Sequence, residues 1–137
     1  MKKQINDIRE FQKKLAEVEE GNVPKGYDGS TYSMESLDRI RLRHDLAIEE
    51  LEETQKAVVQ NNQVEVLDGL VDQLYILLGS VHEYGMLDKF EQAWDLVHAN
   101  NMTKLGEDGK VHKNENGKVI KPSNYKPVDL SILFNDA

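Results

Sequence analysis

The chain has 137 residues, a net charge of −8 and no cysteine. This length suits one domain, and the absence of cysteine excludes a disulfide framework, a zinc ribbon and a cysteine nucleophile. The negative charge argues against an unaided nucleic-acid binder, because such proteins need a basic surface to displace counterions. No apolar run reaches membrane-spanning length, and the N-terminal residues lack the apolar stretch of a signal peptide. We therefore expect a cytoplasmic protein that binds neither nucleic acid nor membrane.

Apolar residues recur at helical spacing in four segments, which predicts an all-α fold. The predicted helices cover residues 4–20, 34–60, 63–84 and 86–101. The segment between the first two helices contains three glycines and a proline and is expected to be a loop. Ser33 at its end suits the N-cap of the second helix.

The helical period is lost after residue 101. The segments 110–113 and 118–121 flank the turn sequence Asn-Glu-Asn-Gly, which predicts a small β-hairpin followed by an extended arm. We expect a single domain, 1–137, with three parts. These are an N-terminal helix and loop at 1–33, a catalytic helical core at 34–104, and a C-terminal hairpin and tail at 105–137.

Two acidic clusters lie on consecutive predicted helices. The first contains Glu49, Glu50 and Glu53, and the second contains Asp68 and Asp72. Carboxylates three or four residues apart share one face of a helix, and antiparallel packing of the two helices would bring the clusters together. Such faces repel each other unless divalent cations lie between them. Ligands that are all oxygen atoms suit Mg²⁺, with Mn²⁺ as a substitute.

The two helices that carry these acids are each apolar on two sides. The main apolar stripes are formed by Leu37, Ile40, His44, Ile48, Leu51 and Val58, and by Leu67, Leu70, Leu74, Leu77, Leu78 and Val81. The acids Glu49, Glu53, Asp68 and Asp72 fall on the second stripes, so we expect them to be semi-buried. One chain has too few helices to cover every stripe. We therefore expect a homodimer or a homotetramer that completes the helical bundle.

Other interpretations of these residues remain open. An acidic run on a helix is usually a solvated face, so the alternative is a helical protein-interaction module that binds no metal. The histidines make a poor metal set, since His44 is expected near the core and His82 at the surface or lining a pocket. Trp94 is expected to be a core residue.

Several motifs occur in a fixed order along the chain. They are Arg43-x-x-Leu46-x-x-Glu49-Glu50-x-x-Glu53, Asp68-x-x-x-Asp72-x-x-Tyr75, Gly79, Asn101-Met-Thr-Lys104, Asp108-Gly-Lys110, Asn116-Gly-Lys118 and Tyr125-Lys-Pro-Val-Asp-Leu130. This ordered set resembles the all-α nucleoside triphosphate pyrophosphohydrolases, in particular the MazG-like and phosphoribosyl-ATP pyrophosphohydrolase-like branch. The resemblance covers approximately residues 36–130.

The resemblance implies Mg²⁺-dependent hydrolysis of a nucleoside triphosphate to the monophosphate and pyrophosphate. It implies that Glu49 and Glu50 are catalytic and that Asn101 and Lys104 bind substrate. The implied metal ligands are Glu49, Glu50, Glu53 and Asp72. Lys104 also fits a surface lysine at a helix end, where the helix dipole favours a cation.

The chain departs from the common family pattern at one position. That pattern places an acid at position 69, where this chain has Gly69. Asp68 lies about 40° round the helix, and we expect it to substitute as a metal ligand. A family member that binds nucleotide without turning it over is a further alternative. The sequence does not identify the substrate, and dUTP, dCTP, a purine triphosphate, a damaged nucleotide and phosphoribosyl-ATP all stay open.

Overall fold

The computed structural model describes residues 1–23, 34–106 and 108–134. Within these ranges the chain forms four α-helices and one short 3-10 helix, and it forms no sheet. The helices are α1 (Lys2–Lys14), α2 (Met34–Val59), α3 (Gln63–Glu83), α4 (Leu87–Met102) and the 3-10 helix Ser131–Leu133. The predicted all-α fold of four helices is therefore confirmed. Most of the predicted loop, including Ser33, lies outside the described residues.

The backbone divides into two compact units, Met1–Asp88 and Lys89–Ala137. In the first unit α1 ends at Lys14, six residues before the predicted end at residue 20. The chain leaves the helix because the following segment bonds to the end of α3. The Gly21 N–H donates to the carbonyl of His82 at 2.9 Å, and the Val23 N–H donates to the carbonyl of Glu83 at 3.0 Å. These tertiary bonds override the local helical pattern.

The helices α2 and α3 form an antiparallel hairpin. In the turn between them Asn61 has a φ of 53°, and the Asn62 side chain caps α3 by accepting the Glu65 N–H at 3.2 Å. Near the turn, Thr54 of α2 lies directly against Gly69 of α3. A Cβ at position 69 would overlap the Thr54 hydroxyl, so this glycine allows the two helices to approach closely.

The closest contact between α2 and α3 is made by small and polar residues. The buried residues of α2 are Arg43, Thr54 and Ala57. Leucines expected in the core are largely exposed in the single chain, including Leu51 at 57%, Leu67 at 66% and Leu70 at 53%. His44 is also exposed. Of the residues in the two main stripes, only Leu78 is buried within the single chain, at 1% exposed, because small residues set the closest approach of the α2 and α3 backbones.

In the second unit, α4 is followed by turns. The predicted hairpin is represented in the described residues by one antiparallel bridge between Lys113 and Val119, without strands on either side. A tight turn closes it, since the Asn114 N–H donates to the Lys118 carbonyl at 2.8 Å. Trp94 is 58% exposed, contrary to its expected place in the core. No described helix combines the length and the apolar character needed to cross a bilayer.

Candidate active site

Glu50 is the central residue of the acidic clusters. It is half-buried on α2, and its Oε2 atom is shielded from solvent without a hydrogen-bond partner. A shielded carboxylate oxygen without a partner is costly. Burial raises the pKa of Glu50, and the neighbouring negative charges of Asp72, Glu53, Glu49 and Asp68 raise it further. These four neighbours are the other predicted metal ligands, so the hairpin places all five acids in one electrostatic group.

The exposure of the five acids differs from the prediction. Asp72 is half-buried as expected, whereas Glu49, Glu53 and Asp68 are exposed. The helix face of α2 that contains Arg43, Thr54 and Ala57 turns toward α3, and Glu50 shares that face at helical spacing. Glu49 and Glu53 therefore lie beside the interhelical contact and not within it.

The acidic group has the chemistry of a Mg²⁺ site. Its donors are all carboxylate oxygens, and a divalent cation would supply the missing partner of the Glu50 Oε2 atom. In the described part of the chain, however, no three acidic or histidine side chains are already gathered around one point that could hold an ion. Binding one ion through several of these acids therefore requires rotation of the exposed side chains.

Hydrogen bonds fix the backbone beneath Glu50. The Thr54 hydroxyl donates to the carbonyl oxygen of Glu50 at 2.8 Å, and it accepts from Nε2 of Gln73 at 2.9 Å.

Thr54 also fills the space that a side chain at position 69 would occupy. An acid at position 69 would point into Thr54, so the departure at Gly69 has a structural reason. Asp68 is the adjacent acid that contributes to the electrostatic group.

A second group of charges lies at the other end of the hairpin, and the sequence did not predict it. Glu83 is fully buried, and Arg39 and Arg43 form ion pairs with it at 2.7 and 3.3 Å. The Asn22 and Gln12 side-chain amides also donate to its two oxygens, at 3.3 and 3.4 Å. The group therefore connects α1, the segment after α1, α2 and α3.

Arg43 has further partners in this group. Its Nε atom donates to the Ser80 hydroxyl at 3.1 Å, and its guanidinium also donates to the Ile76 carbonyl at 2.5 Å. His82, expected at the surface or lining a pocket, is 3% exposed, and burial lowers its pKa. Arg43 occurs in the motif at the start of the acidic cluster, which was the one sequence signal for this group. Glu83 gave no signal, because it lies at the last residue of α3 outside any periodic pattern.

The two predicted substrate-binding residues belong to the second unit. Asn101 is exposed at the end of α4, and Lys104 is half-buried just beyond it. A turn positions Lys104, since its N–H donates to the Asn101 carbonyl at 3.1 Å. The ammonium of Lys104 lies 5.8 Å from the centre of the Tyr125 ring. Their role in binding substrate stays a prediction.

The family model described as phosphoribosyl-ATP pyrophosphohydrolase matches residues 8–101. The match covers most of the chain, including all five acids and Asn101. The chain belongs to the phosphoribosyl-ATP pyrophosphohydrolase family. This family lies within the MazG-like all-α nucleoside triphosphate pyrophosphohydrolase superfamily, which confirms the resemblance found in the motifs.

The family is one of hydrolases that act on phosphoric anhydride bonds of a nucleotide. No curated protein matches the sequence. Lys104 lies three residues beyond the matched range, so the match bears on the acids and on Asn101 but not on this lysine.

Proposed function

We propose that the protein hydrolyses a nucleoside triphosphate to the monophosphate and pyrophosphate, with Mg²⁺ as cofactor. Membership of the family supports the reaction class. The observation that carries the proposal is the shielded, unpartnered Oε2 atom of Glu50 among four other carboxylates. Titratable groups whose pKa is shifted by burial and by like charges often mark functional sites.

In this proposal Glu50 is the general base, and Glu49 beside it orients the attacking water. In the absence of a bound cation the pKa of Glu50 is raised, and a higher pKa makes a carboxylate a better proton acceptor. The water oxygen bonds to the α-phosphorus as its proton passes to Glu50. The bond between the α-phosphorus and the oxygen that bridges to the β-phosphate then breaks, releasing pyrophosphate.

The remaining acids have a different role. Glu53, Asp72 and Asp68 would hold Mg²⁺ together with Glu49 and Glu50. Mg²⁺, when bound, screens the negative charge of the phosphate oxygens. Asn101 and Lys104 bind the substrate, and the Lys104 ammonium stabilises the charge that develops on the departing pyrophosphate.

We also propose that the protein works as a homodimer or homotetramer. The exposed leucines of α2 and α3 support this, because soluble monomers rarely expose large contiguous apolar patches. Leu51, Leu74 and Leu77 line one apolar groove between the two helices. A second copy of the hairpin would cover such a surface.

The test is an assay of pyrophosphate release across a panel of nucleotides, with and without Mg²⁺ or Mn²⁺. The panel contains the common ribo- and deoxyribonucleoside triphosphates and phosphoribosyl-ATP, the substrate in the family's name. Release that requires the metal supports the proposal. Nucleotide binding without release supports a module that has lost turnover. The metalloenzyme proposal is wrong if neither metal shifts the melting temperature and no nucleotide is hydrolysed.

A further inference from the structure

One segment of the second unit is rich in lysine. Residues 104–126 hold six lysines and three acidic residues, whereas the whole chain carries a net charge of −8. Two of these lysines converge on one aromatic ring. The ammonium of Lys121 lies 5.4 Å from the centre of the Tyr125 ring, and that of Lys104 lies 5.8 Å from the same point.

The Tyr125 ring is held firmly in this position. Its hydroxyl accepts a hydrogen bond of 2.6 Å from the Asn100 amide, and the side chain is half-buried. Its N–H donates to the Pro122 carbonyl at 3.0 Å, which closes a turn between Lys121 and Tyr125. The ring is therefore anchored to α4 at one end and to the turn at the other.

Two ammonium groups near one ring repel each other, and the ring quadrupole compensates this only in part. Within the described residues neither lysine forms an ion pair with a carboxylate. The nearby acid Asp108 bonds instead to His112 at 2.9 Å and to the Lys110 N–H at 3.0 Å. Among the described residues, therefore, no carboxylate neutralises the two ammonium groups, and they suit an anionic ligand.

We propose that Lys104, Lys121 and the Tyr125 ring form an oligophosphate-binding platform. Lys121 is a second phosphate-binding lysine beside Lys104, and Tyr125 is a positioning residue that holds both. An oligophosphate fits better than a single phosphate, because its charge is spread along a chain that two separated ammonium groups can contact together. The choice of this ligand rests on the proposed function.

The binding test uses inorganic pyrophosphate and the full chain without divalent metal, measured by titration calorimetry. The wild-type protein should bind pyrophosphate more tightly than inorganic phosphate. Lys121→Gln should weaken pyrophosphate binding about tenfold, and Tyr125→Leu should weaken it similarly. Tyr125→Phe retains the ring and should recover most of the affinity.

The matched control is Lys118→Gln, which removes the same charge from the same segment at an exposed lysine in the bridge turn. It should change the affinity less than twofold. The platform is refuted if wild-type protein binds no pyrophosphate, or if Lys118→Gln and Lys121→Gln weaken binding equally. Equal effects would indicate a general attraction to the basic segment.

Kinetics then separate this inference from the proposed function. With a hydrolysed nucleotide, Lys121→Gln should raise KM several-fold and lower kcat less, since the lysine contacts phosphate and takes no proton. If wild-type protein hydrolyses no nucleotide, the proposed function fails, whereas the calorimetry still decides whether the platform exists.

Discussion

The hairpin of α2 and α3 carries two groups of charged side chains that differ in how their charges are compensated. At one end Glu83 is fully buried, and two arginines and two amides neutralise it or bond to it. At the other end Glu50 has a shielded oxygen without a partner and four negative neighbours. The first group satisfies its charges within the chain, whereas the second concentrates charge of one sign.

This difference fits a structural role for the Glu83 group and the proposed functional role for the Glu50 group. Paired buried charges connect elements of the fold. When one partner is removed, the charge of the other stays buried without compensation, which destabilises the folded state. A cluster of like charges lowers stability, and such a cost is typical of sites that bind a ligand. The contrast predicts that changes at the two ends of the hairpin will affect different properties.

The largest effect should come from replacing the central acid. Glu50→Gln removes the proton acceptor and one metal ligand but retains the size of the side chain. We expect a loss of kcat of about 10²–10⁴-fold in the pyrophosphate-release assay. Glu52→Gln, at an exposed acid on the same helix, should retain activity. Wild-type activity in Glu50→Gln would contradict the assignment of the site.

The next largest effect should be a loss of stability at the other end of the hairpin. Glu83→Ala leaves the buried Arg43 and the half-buried Arg39 without their carboxylate, and we expect a cost of about 3–5 kcal/mol. Urea denaturation measures this cost. The comparison variant Asp7→Asn breaks the exposed pair with Lys3 and should cost far less, because solvent screens exposed ion pairs. Equal costs would show that the Glu83 group is not a structural connection.

A smaller effect is expected at the close contact beside the acidic group. Gly69→Ala forces a methyl group against the Thr54 hydroxyl, and overpacking of this kind costs about 1–3 kcal/mol. In a Thr54→Ala background the same substitution should cost clearly less, because its neighbour has been removed. Urea denaturation of the wild type, the two single variants and the double variant gives the coupling free energy between positions 54 and 69. Additive costs would show that the contact does not determine the helix spacing.

Gly69 also shows where prediction from sequence ends. Hydrophobic periodicity located α2, α3 and α4 within one or two residues, because that signal is local. It did not show that Gly69 and Thr54 make the closest contact between α2 and α3, because they determine this packing through their small size, which hydropathy does not register. The end of α1 was missed for a related reason, since bonds from Gly21 and Val23 to the end of α3 connect distant parts of the chain.

The grouping of the five acids was predicted better than the packing. The spacing of Glu49, Glu50 and Glu53 and of Asp68 and Asp72 was enough to place these acids on neighbouring helices, and the hairpin brings their charges together. Their unequal burial could not be predicted, because it depends on how α2 is rotated about its axis. Glu83 was missed because its partners come from three other segments of the chain.

The smallest predicted effect is a gain of stability from Glu50→Gln, the same substitution that is expected to lower kcat. The pKa of Glu50 is raised in the folded protein, so its ionised carboxylate destabilises the fold above both its folded and unfolded pKa values. This penalty disappears as the pH falls below the unfolded pKa. Without metal at neutral pH, Glu50→Gln should therefore raise Tm by roughly 2–4 °C.

Added Mg²⁺ should reverse this order of stabilities. The wild-type protein gains a ligand that binds only the folded state, whereas Glu50→Gln has lost one of the oxygens that hold it. Scanning calorimetry of both proteins with and without Mg²⁺ measures the four melting temperatures. If Glu50→Gln melts below wild type without metal, the carboxylate stabilises the fold and the two ends of the hairpin do not differ as inferred. If Glu50→Gln melts higher without Mg²⁺ and the wild type melts higher with Mg²⁺, the stability cost of the acidic group is connected directly to ion binding.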